Sequence, residues 1–188
     1  MNNNEIKEIS KEFESLIRNM IVDNYKFYGF NDKITFGFGY DDNASIMGTC
    51  NRKNNAITLN VNSLLVAKER NDYLDVEYFV IHEIRHIFQH LIIQDYKENK
   101  PIEISDKYVK KWIEELQDYQ KALLPNGEEN PLYFKQDSEL DAYAFSYAVM
   151  LYKYGKERIK NLYVYEGYGE EFWNIVNDWL IYFKENNY

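Results

Sequence analysis

A long helical pattern over residues 72–97 constrains this chain more than any other feature of its sequence. Apolar residues recur in it at spacings of three and four, as expected of a helix that buries one face. They are Val76, Val80, Ile81, Ile84, Phe88, Leu91 and Ile92. The three histidines of the chain, His82, His86 and His90, all lie in this segment. The segment therefore bears on both the fold and the chemistry.

Shorter patterns before this segment predict one helix and a small sheet. An amphipathic helix is predicted over residues 5–27, because its apolar residues also recur every three or four positions. Three short runs of β-branched and aromatic residues predict strands at 33–40, 45–51 and 56–62. Only the sequence Arg-Lys-Asn-Asn separates the last two runs, which predicts a hairpin.

After the long segment the patterns predict helices and one loop. The helices are predicted at 106–122, with Asp106 as N-cap, at 137–154 and at 170–184. Residues 124–136 contain Pro125, the pair Asn126-Gly127 and Pro131, which indicate a loop. The order of a helix, a small sheet and then helices is that of an α+β fold.

The composition is that of one globular domain. The chain has 188 residues, of which 45% are hydrophobic, and it contains 18 tyrosines and 11 phenylalanines. A chain of this length can bury about 70% of its unfolded surface and so form its own core. Without a visible linker or repeat, residues 1–188 are predicted to form a single domain.

Charge and cysteine content argue against several classes of function. The net charge is −9, whereas nucleic acids and anionic membranes bind clustered Lys and Arg. No window holds the roughly 20 apolar residues of a membrane helix, and residues 1–5 show neither the basic nor the apolar part of a secretory signal. Cys50 is the only cysteine, so no intramolecular disulfide can form. We therefore expect a cytoplasmic protein that binds neither nucleic acid nor membrane.

The helical segment contains the sequence HEIRH, from His82 to His86. Residues four apart lie on one helix face, so both imidazoles can reach one metal ion. Glu83 lies about 100° further round the helix, beside such an ion, where it can act as general base. The flanks are apolar, and burying a charged cluster there is costly unless the cluster has a function. The alternative is a chance match in which both histidines are core or surface residues.

A catalytic zinc normally has three protein ligands and one open position. His90 continues the face of His82 and His86, but a straight helix cannot wrap a third imidazole around one ion. We therefore interpret His90 as a packed or surface residue. Glu139 is the carboxylate candidate, at the start of a predicted helix whose small residues allow close approach to another helix. The alternative for Glu139 is a first-turn acid that stabilises the helix dipole.

The sequence HEIRHIFQH followed by ELDAYAFSYAVML resembles the gluzincin-type zinc peptidases, in particular the small ImmA/IrrE-like and minigluzincin-like members. The resemblance covers about residues 30–152. It implies a zincin-like fold of the thermolysin half-domain type, with an N-terminal helix, a small antiparallel or mixed sheet, an active-site helix and C-terminal helices. It also implies His82, His86 and Glu139 as zinc ligands and Glu83 as the catalytic base.

Two departures from the family pattern bear on the candidate site. It has an inserted helix and loop at about 103–136, and we interpret residues 106–136 as a lid or cleft wall. Tyr143 stands where the family has an acid after E-x-x-A. Tyr143 and Tyr147 are the candidate oxyanion donors, and the alternative for both is a structural role.

The predicted strand at 56–62 is expected to be the edge strand that pairs with an extended peptide. Cys50, on a neighbouring strand, is interpreted as a small core residue.

The chain is thus predicted to be a zinc-dependent metallopeptidase that hydrolyses a protein or peptide substrate with zinc-activated water. One alternative keeps the site but restricts it to a dedicated regulatory protease or a toxin-like hydrolase with one partner. Another makes the chain a non-catalytic interaction domain with a relic or chance HEIRH. Its Tyr-rich acidic helices at 106–122 and 157–188 would then form the interaction surface.

Overall fold

The computed structural model describes residues 1–30 and 33–188. Within these ranges the chain forms eight α-helices and one three-stranded mixed sheet, so the predicted α+β class is confirmed. The chain divides into two compact units, Met1–Ile87 and Phe88–Tyr188. The single domain expected for residues 1–188 stays a prediction. Among the described residues, every helix is too short or too polar to span a lipid bilayer.

The first unit begins with helix α1, Asn3–Asp23. Asn2 caps it in a reciprocal arrangement, because its side chain accepts from the backbone amide of Glu5 while the Glu5 carboxylate accepts from the backbone amide of Asn2. The buried residues recur at helical spacing, and they are Ser10, Phe13, Ile17, Met20 and Ile21. The helix ends before the predicted position 27, because Tyr25–Phe27 form a separate 3₁₀ turn.

The sheet of the first unit has three strands in the order β1-β3-β2. Strand β1 is Thr35–Gly39, β2 is Gly48–Asn51 and β3 is Ala56–Asn60. The predicted hairpin is confirmed, since β2 pairs antiparallel with β3, whereas β1 pairs parallel with β3. The prediction that residues 56–62 form the edge strand of a cleft is wrong. Strand β3 is central, so its main-chain groups already bond to a strand on each side.

Helix α2, Val61–Arg70, follows β3 directly and is absent from the sequence prediction. Asn60 ends the strand and caps the helix, because its side chain accepts a hydrogen bond of 3.1 Å from the backbone amide of Asn62. Asn71 ends the helix in the left-handed conformation, with φ of 50°. Helix α1 packs against both α2 and β1, which closes the core of this unit.

Helix α3 spans Leu74–Lys97 and contains HEIRH, as predicted. At its start the side chain of Asp72 accepts a hydrogen bond of 3.1 Å from the backbone amide of Leu74. Five of its aliphatic side chains are fully buried, namely Val76, Val80, Ile81, Ile84 and Ile87. The predicted apolar face is therefore buried from Val76 to Ile84, whereas its later residues, Phe88, Leu91 and Ile92, are half-buried.

In the second unit helix α6, Asp137–Tyr154, is the central element. Four other helices pack against it, and they are α4 (Asp106–Glu115), α5 (Pro131–Phe134), α7 (Lys156–Ile159) and α8 (Glu170–Glu185). Residues 144–150 of α6 are all buried, so this stretch is covered on every side. The predicted helices at 137–154 and 170–184 are confirmed.

The inserted segment differs in detail from its prediction. Helix α4 ends at Glu115 instead of position 122, because tight turns begin there, with the amide of Gln117 bonded to the carbonyl of Glu114. Its N-cap is Ser105, and Asp106 is the first helical residue. The predicted loop at 124–136 contains the short helix α5, which begins with Pro131 at a position where a missing N–H costs nothing.

Candidate metal site

Three buried side chains lie together as the sequence predicts: His82 and His86 of α3, and Glu139 of α6. Each offers one ligand atom, and these atoms all lie within 4.8 Å of one another. The two histidines are 3% exposed and Glu139 is 0% exposed. Within residues 1–30 and 33–188, this is the one such group of His, Cys, Asp or Glu side chains. It can hold a metal ion.

The two imidazoles face each other across the space that an ion would need. The Nε2 atoms of His82 and His86 are 3.1 Å apart, and the rings are nearly perpendicular, with centroids 4.6 Å apart. Two nitrogen ligands on one tetrahedral zinc, each about 2.0–2.1 Å from it, stand about 3.3 Å apart. The separation in this protein therefore fits two ligands of a single ion.

Glu139 lies in the first turn of α6, and its burial tests the alternative that it only stabilises the helix dipole. Such an acid gains about 0.3–1 kcal/mol at an exposed position. Removing a carboxylate from water costs several kcal/mol, which the dipole alone does not offset. The hydroxyl of Tyr119 donates a hydrogen bond of 2.6 Å to Glu139 Oε1. The burial therefore favours a ligand over a dipole-stabilising residue.

Tyr133 adds a second tyrosine beside the same carboxylate. The centroids of the Tyr133 and Tyr119 rings are 6.2 Å apart, and the rings are arranged edge to face. Burial, and after it the negative charge of Glu139, raises the pKa of Tyr133 well above its usual value. The hydroxyl of Tyr133 therefore stays protonated near neutral pH and keeps its donor hydrogen.

Glu83, the predicted base, is half-buried and lies beside a residue of the sheet. Burial, and after it the charge of the nearby Glu83 carboxylate, raises the pKa of the Cys50 thiol. A thiol held in its neutral form is a poor nucleophile, which agrees with the interpretation of Cys50 as structural. The proximity of the two side chains also places β2, an outer strand of the sheet, next to Glu83.

His90, Asp141 and Glu103 lie outside the cluster. His90 is half-buried, and its Nε2 atom lies 3.1 Å from Nε2 of Gln94. Asp141 accepts a hydrogen bond of 2.8 Å from Gln89, and Glu103 is exposed. The structure therefore brings together the residues that the resemblance implies as ligands and leaves these three elsewhere.

The two tyrosines considered as oxyanion donors belong to the aromatic core of the second unit. Tyr147 packs edge-to-face against Phe172 and Trp173, with centroids 5.9 and 5.5 Å away, and burial raises its pKa. Tyr143 lies against Phe134, with centroids 5.9 Å apart. Sequence patterns do not single out Tyr119, because its hydrogen bond to Glu139 joins two different elements and leaves no trace in the periodicity of the helix predicted at 106–122.

The donor atoms of the cluster suit a metal ion. Zinc at catalytic sites takes imidazole nitrogen and carboxylate oxygen as ligands, and several other divalent transition metals accept the same donors. The buried cluster of His82, His86 and Glu139 fits this chemistry. No family model, curated protein or solved structure matches this chain.

Proposed function

We propose that this chain is a zinc-dependent metallopeptidase with a zincin-like fold. The observation that carries the proposal is the buried group of His82, His86 and Glu139, with its ligand atoms within 4.8 Å of one another. Two imidazoles and one carboxylate are the three protein ligands of a catalytic zinc that keeps a fourth position open, whereas structural zinc sites are closed by four protein ligands. The resemblance of HEIRH and the downstream helix to gluzincins supports the same conclusion.

Glu83 is the general base in this proposal. When bound, zinc supplies Lewis acidity, which lowers the pKa of water towards 7 and polarises a carbonyl group. Glu83 follows His82 in the helix, is half-buried and is outside the ligand group. Helix geometry puts it about 100° from His82, where a general base beside the ion is needed. It accepts the proton of the attacking water and later delivers it to the leaving amine.

Strand β2 is the proposed docking strand for an extended peptide. It is an outer strand, unlike β3, and its Cys50 lies near Glu83. A peptide that adds to such an edge gains main-chain hydrogen bonds, and its side chains then decide specificity. The proposed substrate is accordingly a protein or peptide with an extended segment.

Metal content tests the site itself. Protein purified without added metal should contain about one zinc per chain by elemental analysis, because the cluster offers three ligands to one ion. His82→Ala and His86→Ala should each lose this zinc. His90→Ala is the matched control, since it removes a histidine from the same helix outside the cluster, and it should keep the zinc. Stoichiometric zinc in the His82→Ala/His86→Ala double variant would overturn the proposed site.

Glu83→Gln tests the hydrolytic role. The amide keeps the shape of the side chain but cannot accept a proton from water. We expect zinc content and circular dichroism to stay unchanged while turnover falls by about 10²–10⁴-fold. The measurement is turnover of any peptide or protein that the wild type cleaves, from a broad peptide library or a single partner. Wild-type turnover in the variant would exclude Glu83 as the base.

A further inference from the structure

The inserted helix α4 is bonded to the first turn of α6, the turn that carries Glu139. The carboxylate of Glu115, the last residue of α4, accepts hydrogen bonds from the backbone amides of Asp137 and Ser138, the latter at 2.9 Å. The N-terminal amides of a helix have no partner within the helix, and a carboxylate there also favours the helix dipole. Glu115 therefore provides from another helix the cap that α6 lacks locally.

Contacts on both sides of Glu115 follow the same spacing of four residues. Lys111, four residues earlier, forms an ion pair of 2.9 Å with Asp137. Tyr119, four residues later, donates its hydrogen bond of 2.6 Å to Glu139. Three side chains of one short segment therefore bond to the first turn of α6, at Asp137, Ser138 and Glu139.

The backbone next to Tyr119 is fixed by a separate pair of bonds. The backbone amide of Gln120 donates to the side-chain oxygen of Gln136 at 2.9 Å, and the side-chain amide of Gln136 donates to the carbonyl of Gln120 at 3.3 Å. Gln136 is buried and directly precedes α6. Although the side chain of Tyr119 is 40% exposed, its hydroxyl is held against a carboxylate that is fully buried.

We infer that Tyr119 is a positioning residue for Glu139, and that α4 with the residues up to Tyr119 sets the affinity of the metal site. This inference rests on the proposed ligand role of Glu139. A glutamate side chain has three rotatable bonds, and its carboxylate has two oxygens. One oxygen accepts from Tyr119, and this hydrogen bond restricts the rotamers of the side chain. Hydrogen bonds of this kind orient a ligating carboxylate.

Tyr119→Phe should weaken zinc binding by about 10–100-fold, the usual loss when a partner of a metal ligand is removed. Without the hydroxyl, the carboxylate of the metal-free protein can rotate away from its binding position. Zinc must then bring it back when it binds. The dissociation constant is measured on the full chain by competition with a chelator, with zinc as the only added metal.

Tyr163→Phe is the matched control. Tyr163 is similarly exposed, at 45%, and its hydroxyl also donates to a glutamate, Glu129 Oε1, at 3.0 Å. Neither Tyr163 nor Glu129 belongs to the cluster, so this variant should bind zinc as the wild type does. Both variants keep the aromatic ring, and circular dichroism of the metal-free proteins checks that the helices are retained.

A second readout separates positioning from a purely structural role. The visible absorption of Co(II) in the site depends on the geometry of its ligands, so Tyr119→Phe should change this spectrum and Tyr163→Phe should not. A residue that only stabilised the fold would lower the unfolding midpoint of the metal-free protein while leaving the zinc affinity and the Co(II) spectrum intact. Unchanged or tighter zinc binding by Tyr119→Phe would overturn the inference.

The same titration distinguishes this inference from the proposed function. A wild type that binds no zinc overturns the metal site, and the inference with it. A wild type that binds zinc, with Tyr119→Phe equal to it, overturns the inference alone. The comparison of dissociation constants decides the role of Tyr119 whether or not a cleaved peptide has been found.

Discussion

Among single residues, Glu139 is the most informative of the three proposed ligands, because HEIRH does not supply it. Glu139→Ala should lose zinc almost as completely as His82→Ala, since two imidazoles alone leave the ion half-coordinated. Glu139→Asp should bind zinc weakly, because a side chain shorter by one methylene cannot reach the same point from a fixed helix. Elemental analysis and chelator competition measure both effects.

Asp141→Ala is the control for this series. Asp141 is on the same helix and accepts a hydrogen bond from Gln89, but it lies outside the cluster. The Asp141→Ala variant should therefore keep its zinc. If Asp141→Ala loses zinc while Glu139→Ala remains fully metallated, the ligand assignment is wrong, and so is the resemblance to gluzincins that depends on it.

The residues of the site divide into those that sequence can predict and those that it cannot. The spacing of His82 and His86 is a local property of one helix, so it can be read from the chain directly. The contact of Tyr119 with Glu139 and the proximity of Cys50 to Glu83 involve residues far apart in sequence. These contacts depend on how the elements pack against each other, and the periodicity of a single segment does not predict that packing.

At the scale of elements, the loop between α4 and α5 is the best candidate for proteolysis. Residues 121–129 are all exposed, whereas the base of the loop is closed by Asn130, whose amide bonds to the carbonyl of Ala122 at 2.8 Å. A glutamate-specific protease should therefore cut first at Glu128. The cut site is identified by mass spectrometry of the fragments, and Glu128→Gln should delay cleavage. A first cut between residues 98 and 105 or between 160 and 169 would contradict this expectation.

The elements also show why some strands and helices escape prediction. Asn60 and Asn71 are the N-cap and C-cap of α2. The β-branched residues before Asn60 nevertheless predict a strand that continues past the point where the helix begins. That β3 is the central strand follows from its pairing with β1, which is distant in sequence. Strand order within a sheet is a tertiary property, so the patterns locate the strands but not the edge.

Zinc should stabilise the chain as a whole. An ion that binds the folded state and not the unfolded state adds about 2.7 kcal/mol to the free energy of unfolding at a free concentration of 100 times its dissociation constant. For a chain of this size, that raises the unfolding midpoint by about 5–10 °C. Differential scanning calorimetry with and without zinc measures the shift. His82→Ala should show none, and a wild type that is unaffected by saturating zinc would contradict the metal site.

The burial of α6 has a consequence for how this protein can change over generations. In α1 the buried residues alternate with exposed ones, so most positions of that helix can drift freely while Phe13, Ile17 and Met20 are held. In α6 residues 144–150 are buried without a break. A substitution at any of them disturbs a neighbouring helix, so lineages can replace these residues only together with their contacts. Diverging descendants of this chain should therefore keep α6 as an intact block long after α1 retains nothing but its apolar spacing.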